Sequence, residues 1–261
     1  MFESVLDPIF SPLLKIQPIF SIAIIAFIVT VIITLIHKFT TDQKKMKEIK
    51  EEMKSHQNEM KKCKNDPKKM MDINKKVMEK NMEFMKHSLK PMLFSFLPII
   101  IIFGWLNTHM VYYPIMPEQE FDITLTFDPS AIGKDVALIE IIPPEGIDLL
   151  NSETQKIESL GIKKTFGTNW VGSANFKLEG LEGKYTIRFE YEGRNYEKDV
   201  LITEERRYEE PELKVNDGTA LKSIKVGNEP IKPFFGIGWL GTYIIFAIVF
   251  SMALRKILNI V

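Results

Sequence analysis

Three stretches without a single Asp, Glu, Lys or Arg constrain this chain more than anything else in it: residues 16–36, 91–111 and 233–254. Their 21, 21 and 22 positions match the roughly 20 residues a helix needs to cross about 30 Å of hydrocarbon. Glu3, Asp7 and Lys15 precede the first run and a dense lysine block follows it, the reverse of a signal peptide's basic leader. The run is therefore read as a retained span. Pro91 and Pro233 open the other two runs and suit a helix's first turn, while Pro98 predicts an early kink in the second. The expected division is transmembrane helices at 18–38, 91–112 and 233–254. A lead-in at 1–17 lies along the membrane surface, and its Pro8 and Pro12 argue against a long helix there.

The net charge of zero hides a segregation. Residues 38–90 carry 16 Lys against nine acids, and residues 110–232 carry 15 Lys or Arg against 23 acids. Basic and acidic blocks separated by apolar runs point to two compartments. Lys38, Lys44, Lys45, Lys47, Lys86 and Lys90 flank the basic block, and Arg255 and Lys256 follow the third span. No Lys or Arg lies between Tyr112 and Lys134. The positive-inside rule then puts the basic block and the tail at 255–261 in the cytosol of a cell membrane, with the N-terminus and the acidic block outside. Trp105, Tyr112, Tyr113 and Trp239 fall at the outer interface as an aromatic belt. With a single cysteine, Cys63, no intramolecular disulfide forms.

The basic segment at 39–90 repeats methionine by sevens: Met46, Met53 and Met60, then Met71, Met78 and Met85. A seven-residue repeat keeps each trio on one helical stripe. The register breaks at Asn65-Asp66-Pro67, where Asp66 suits an N-cap and Pro67 a first helical residue. The expectation is a cytosolic helical hairpin, a coiled coil with facing Met/Ile seams and lysines outside. Such methionines pack two helices together or form a soft surface for varied apolar segments, and nothing forbids both. Lys61, Lys62, Lys64, Lys68 and Lys69 at its tip would steer a polyanion such as ribosomal RNA.

The acidic block at 113–232 reads as β. Residues 121–127 alternate strictly, 136–142 form an apolar run, and 184–191 alternate again before a turn at Glu192-Gly193-Arg194-Asn195. About seven short strands suggest a small antiparallel β-sandwich of about 110 residues, inserted on the extracellular side and comparable in plan to an immunoglobulin domain without its cysteines. The acidic run at 204–212 is read as a solvated loop or edge.

Signatures of covalent chemistry are nearly absent. Gly236-Ile237-Gly238-Trp239-Leu240-Gly241 has dinucleotide-site spacing, but no strand precedes it and a span follows. Close helix packing by small residues is the better account. His37, His56, His87 and His109 have no metal-ligand spacing. No enzyme activity, cofactor or metal is expected. An ion channel is disfavoured because no span carries a charged ring.

Hydroxyls inside the spans are the sharper signal. Thr34 lies four residues before Lys38, Ser95 four after Pro91, Ser251 four before Arg255, and Thr30 one turn deeper than Thr34. Each either bonds the carbonyl four residues back or helps line a shallow wettable recess open to the cytosol.

One span, a helical hairpin and two further spans resemble the core plan of the Oxa/YidC/Alb insertase superfamily, most closely its archaeal branch related to the third subunit of the endoplasmic-reticulum membrane protein complex. The resemblance rests on Asp66-Pro67-Lys68-Lys69-Met70-Met71, on Lys90-Pro91-Met92-Leu93 and on Pro98-Ile99-Ile100-Ile101-Ile102-Phe103-Gly104-Trp105. It covers about residues 1–113 and 233–261. It implies a chaperone-like insertase that takes nascent membrane proteins into a cytosol-facing groove without ATP hydrolysis, with the ribosome and a translocon as further partners beside the lipid bilayer. Thr30, Thr34, Ser95 and Ser251 would line that groove, and Met46, Met53, Met60, Met71, Met78 and Met85 would capture the client. Two features depart from the family: bacterial members carry a groove arginine that these spans lack, and the β block stands where simpler members have a short loop. The rival expectation is a membrane-anchored structural or receptor protein whose β domain binds a ligand or partner.

Overall fold

A computed structural model describes residues 3–63, 66–129, 138–164 and 167–258. The chain divides into two compact units, Met1–Asn107 with Lys232–Val261, and Thr108–Ile231.

The first unit is helical: α1 (Glu3–Leu14), α2 (Pro18–Thr40), α3 (Gln43–Lys62), α4 (Pro67–His109) and α5 (Trp239–Leu258). Of these, α2, α4 and α5 are long and apolar enough to cross a membrane. The lead-in is more regular than its prolines suggest, because α1 runs for 12 residues through both Pro8 and Pro12. Tertiary contacts override the local penalty. Phe10 packs on Trp105 with ring centroids 5.1 Å apart, and the Trp105 indole N–H donates to Asp7 Oδ1 at 2.8 Å. Trp105 is consequently 2% exposed and packed in the protein, not a lipid-facing belt residue.

Asp66 caps α4 as its position suggests, its Oδ1 accepting from Lys69 N at 3.1 Å. Pro91 does not restart a helix: α4 continues through Pro91 and Pro98 for 43 residues. That is about 65 Å at 1.5 Å per residue, so hairpin arm and span are one rod. An interior proline forfeits one ladder bond, a loss that long membrane helices tolerate. The third helix begins six residues after Pro233, because Phe235 (φ 47°) and Gly236 (φ 75°) form a turn in which Phe234 O accepts from Ile237 N at 2.8 Å. Gly236 serves this turn, and none of the three glycines lies where another helix packs close. A side chain at 241 would collide with Ile237, while one at 236 or 238 would meet open space.

The end of α4 meets the start of α5, where Phe103 sets its ring edge against Trp239 and Tyr243 at 5.7 and 4.8 Å. Phe27 of α2 packs on Phe250 of α5 at 5.4 Å.

The second unit is an antiparallel pair of sheets. Among the described residues its strands are β1 (Phe121–Phe127), β2 (Leu138–Ile142), β3 (Ile147–Leu149), β4 (Thr154–Lys156) and β5 (Glu158–Lys164), followed by β6 (Gly167–Gly180), β7 (Gly183–Tyr191), β8 (Arg194–Ile202), β9 (Glu212–Lys214) and β10 (Leu221–Val226). One sheet runs β3-β6-β1-β10-β9 with β5 on β6, and the other β4-β2-β7-β8. Ten strands appear where the alternation suggested about seven, the extra ones being three-residue pieces too short to show a period. The apolar run before β2 begins at Val136, outside the described residues. In β1 the period of two buries Phe121, Ile123, Leu125 and Phe127 on one face. Glu192 (φ 51°) and Gly193 (φ 73°) make a two-residue turn of the twist hairpins prefer.

Phe127, Phe176, Phe189 and Tyr191 centre the sandwich core, and burial pushes the Tyr191 hydroxyl up to about 12. At one end Asp217 accepts from the Thr219 and Tyr196 hydroxyls at 2.7 and 2.8 Å and from Arg194 at 3.2 Å. These bonds, Thr219 first, hold its carboxyl well below the usual carboxylate range. Edge strand β8 turns Lys198 inward, where burial lowers its pKa and Nζ donates to Asp199 O at 2.7 Å. An inward cation on an edge strand discourages pairing with a foreign strand.

Candidate functional site

The apolar runs force α2 and α5 to bury one face on the other, and the positions they leave small or polar open a cleft of ≈ 420 Å³. Its polar lining is Thr30, Thr34 and His37 from α2 with Tyr243, Ser251 and Arg255 from α5. Its apolar lining includes Ile33, Ile244, Ala247, Ile248 and Met252. Three of the four hydroxyls singled out from the sequence thus converge. Ser95 does not line this cleft; it is buried on α4 and donates to Pro91 O at 2.9 Å.

The back-bonding alternative holds for three of them. Thr30 donates to Ala26 O and Thr34 to Thr30 O, each at 2.6 Å, so these two offer only lone pairs to a ligand. Ser251 is half-buried, and its hydroxyl has no partner among the described residues. Sequence reasoning missed His37 and Arg255. They sit one turn beyond Thr34 and Ser251, just outside the apolar runs, and counting charges only within the runs excluded them. The cleft therefore carries a permanent cation although none of the three uncharged runs contains one.

The six methionines divide into two groups. On α3, Met46 is buried with Ile49, and Met53, His56 and Met60 continue that stripe half-buried. On the hairpin arm of α4, residues 67–90, the buried positions are Ile73 and Val77, whereas Met71, Met78 and Met85 are 71%, 64% and 57% exposed. The facing Met seam expected from the heptads therefore forms on one arm only. Ile73 and Val77 take the inward phase of α4, and a heptad two residues out of that phase points away. Met82 and Leu89 fall on the same outward stripe, 57% and 51% exposed.

Two ion pairs tie the arms, Lys80 Nζ to Glu52 at 2.6 Å and Lys45 to Glu83 at 3.5 Å, and Lys80 also reaches Glu83 within α4 at 3.1 Å. Donating to Glu52 and Glu83 raises the Lys80 pKa, and accepting from Lys80 lowers that of Glu83. At the tip Met60, Lys61, Pro67, Met70, Met71 and Asn74 surround a cavity of ≈ 690 Å³. Lys61, Lys62, Lys68 and Lys69 are exposed around it, and Lys64 lies outside the described residues. No group of His, Cys, Asp and Glu among the described residues could hold a metal ion.

Comparison of the sequence with curated proteins and with solved structures finds no match. A known family does match: the EMC3/TMCO1-like integral membrane proteins, over residues 3–135, just over half of the 261. The matched stretch contains α1 to α4 and β1. That family is concerned with inserting membrane proteins and is not enzymatic, and its clients are membrane proteins met at the lipid bilayer. With its apolar helices and its hairpin-to-span plan, this chain belongs to the EMC3/TMCO1-like family, within the Oxa1/YidC/Alb3 insertase superfamily.

Proposed function

We infer that this protein accepts newly made membrane proteins from the cytosol and lowers the cost of passing their polar segments through the bilayer, without ATP hydrolysis. The observation that carries this reading is the cleft between α2 and α5, where Thr30, Thr34, Ser251, His37 and Arg255 bring polar groups to two otherwise apolar helices. A hydrophilic tail moving past such groups exchanges water for protein partners instead of bare hydrocarbon. Ser95, bonded to Pro91 O on α4, stands outside this cleft and is given no groove-lining role. The lysine distribution orients the chain, with the helical hairpin and C-terminus cytosolic and the N-terminus and β unit outside.

First contact falls to the outward stripe of Met71, Met78, Met82 and Met85, which offers a polarisable surface tolerant of varied apolar sequences. Met46, Met53 and Met60 support it by holding the arms together as a short coiled coil. Lys61, Lys62, Lys64, Lys68 and Lys69 at the tip suit a polyanionic neighbour such as ribosomal RNA. Photocrosslinking tests the scheme. A probe placed in turn at Met78, Thr34, Met46 and Ser95 meets stalled ribosomes bearing a short membrane-protein nascent chain. Crosslinks from Met78 and Thr34 with few from Met46 support capture followed by insertion; silence at all four positions removes the reading.

One observation favours a second role for part of the chain. The β unit has a core of its own, 22 buried residues among those described, and lies largely outside the family match. A ligand- or partner-binding role fits it, and deletion of residues 117–232 separates the two. The insertase reading expects client crosslinks to survive; a receptor loses its activity.

A further inference from the structure

The cleft between α2 and α5 distributes its polarity unevenly. His37 and Arg255 each stand three residues from the end of their helix, at Thr40 and Leu258, whereas Ile33, Ile244, Ala247 and Ile248 wall the part nearer the middle of the spans. Arg255 has no carboxylate partner among the described residues. Of the lining hydroxyls those of Thr30 and Thr34 are committed to their own helix, whereas those of Ser251, near the mouth, and Tyr243, near the start of α5, are not. An arginine keeps its charge at any physiological pH and presents a planar fork of donors suited to phosphate. The nitrogen donors, Arg255 and His37, therefore gather at the mouth, and deeper in lie hydrocarbon, the Thr30 and Thr34 oxygens and the Tyr243 hydroxyl.

Size discriminates between occupants. A helix about 10 Å across with a 5.4 Å pitch fills roughly 420 Å³ per turn, so the cleft admits a single turn of a spanning helix. A slender hydrocarbon chain fits along its whole length. A cationic mouth above a narrow apolar slot at the bilayer surface is complementary to one class of molecule, an amphiphile with an anionic phosphodiester head and an acyl or prenyl tail.

The geometry points to a binding site for one anionic phospholipid in this cleft. The phosphodiester is held by Arg255, His37 and the Ser251 hydroxyl, and one tail lies along Ile33, Ile244, Ala247 and Ile248. This ligand is distinct from the client, and its binding requires no client.

The test uses the purified full-length chain, delipidated in a neutral detergent, with bound lipid counted by native mass spectrometry. The added lipid is dioleoylphosphatidylglycerol or dioleoylphosphatidylcholine at matched ratios. Retention of one phosphatidylglycerol, with phosphatidylcholine held about tenfold more weakly, is expected from charge-assisted phosphate bonds. Arg255→Gln combined with His37→Gln brings the anionic lipid down to the level of the neutral one. Ala247→Phe, which fills the slot, lowers retention of both. Lys256→Gln, a charge removed beside the cleft but not lining it, leaves retention unchanged. Circular dichroism confirms that each variant keeps its helices, and the Arg255/His37 pair decides the matter if Ala247→Phe does not fold. Equal retention of the two lipids overturns the site, as does an Arg255/His37 variant that still prefers the anionic lipid, or a Lys256→Gln loss equal to that of Arg255→Gln. Displacement of bound phosphatidylglycerol by millimolar inorganic phosphate would reduce the site to a bare anion site. None of these arms involves a nascent chain, so failure here leaves client capture standing, and failure of client capture leaves the lipid site standing.

Discussion

The hairpin methionines give two opposite predictions on helices only a few residues apart. Met71, Met78 and Met85 are replaced together by Ser in one variant, and Met46, Met53 and Met60 together by Leu in another. Full burial of a methionine side chain is worth about 1.5–3 kcal/mol. With 71%, 64% and 57% of these three exposed, a covering client gains about 1–2 kcal/mol from each. Ordering both partners consumes part of that gain, leaving the serine variant about 1.5–3 kcal/mol weaker, or roughly 10- to 100-fold in Kd. The inward trio behaves differently: Met to Leu nearly conserves volume and costs less than about 1.5 kcal/mol of packing, with little change in capture. The assay is a titration of the full-length protein in detergent against a fluorescent apolar 20-residue peptide, read by anisotropy, with helix content monitored in parallel. An unchanged Kd for the serine variant refutes the outward stripe as the capture surface. So does a leucine variant that weakens binding as much as the serine one.

Three further outcomes are expected. Replacing Thr30, Thr34 and Ser251 together by Val should lower insertion of a client with a polar tail while the protein still accumulates in the membrane. Ser95→Val alone should leave insertion near normal, and the reverse ranking would move the groove to α4. Trp105→Phe removes the indole N–H from Asp7 and, because the acceptor is a carboxylate, should cost about 1.5–3 kcal/mol. Faster hydrogen exchange in residues 3–14 is the readout, and unchanged protection would show that Phe10 packing alone holds α1. Lys198→Met should stabilise the β unit at neutral pH. Burial depresses the folded-state pKa of Lys198, so the unfolded chain binds more protons between that value and the ordinary lysine value of about 10. The penalty on the wild type is therefore full below this window and fades as pH rises through it. Hydrogen exchange of β7 and β8 in the full chain, compared at neutral and alkaline pH, should show the variant's advantage shrinking; an advantage independent of pH would contradict the buried-cation account.

Patterns governed by near neighbours could be read without coordinates. Uncharged length marked the membrane helices, strict alternation placed β1 and β7, and Asp66-Pro67 located the start of α4, because each depends on side-chain period or capping within a few residues. Proline misled at both ends of the helical unit. Local chemistry warned of breaks at Pro8, Pro12 and Pro91, but Phe10 and Asp7 on Trp105 stabilise α1 from a distance, and α4 tolerates its missing ladder bonds. The three-residue strands β3, β4 and β9 escaped notice because so short a segment carries no period.

At the candidate site, composition and spacing were enough to pick out hydroxyls near one end of the spans and methionines by sevens, but not the cations just beyond the hydrocarbon. Which of these groups meet depends on how the helices pack. Thr30, Thr34 and Ser251 share a cleft with His37 and Arg255 and not with Ser95, because azimuth around a helix depends on what that helix packs against. The same cause turned Met46 inward and Met78 outward. A heptad fixes the spacing of a stripe, whereas its direction is set by the neighbour that buries the competing one, here Ile73 and Val77 on α4.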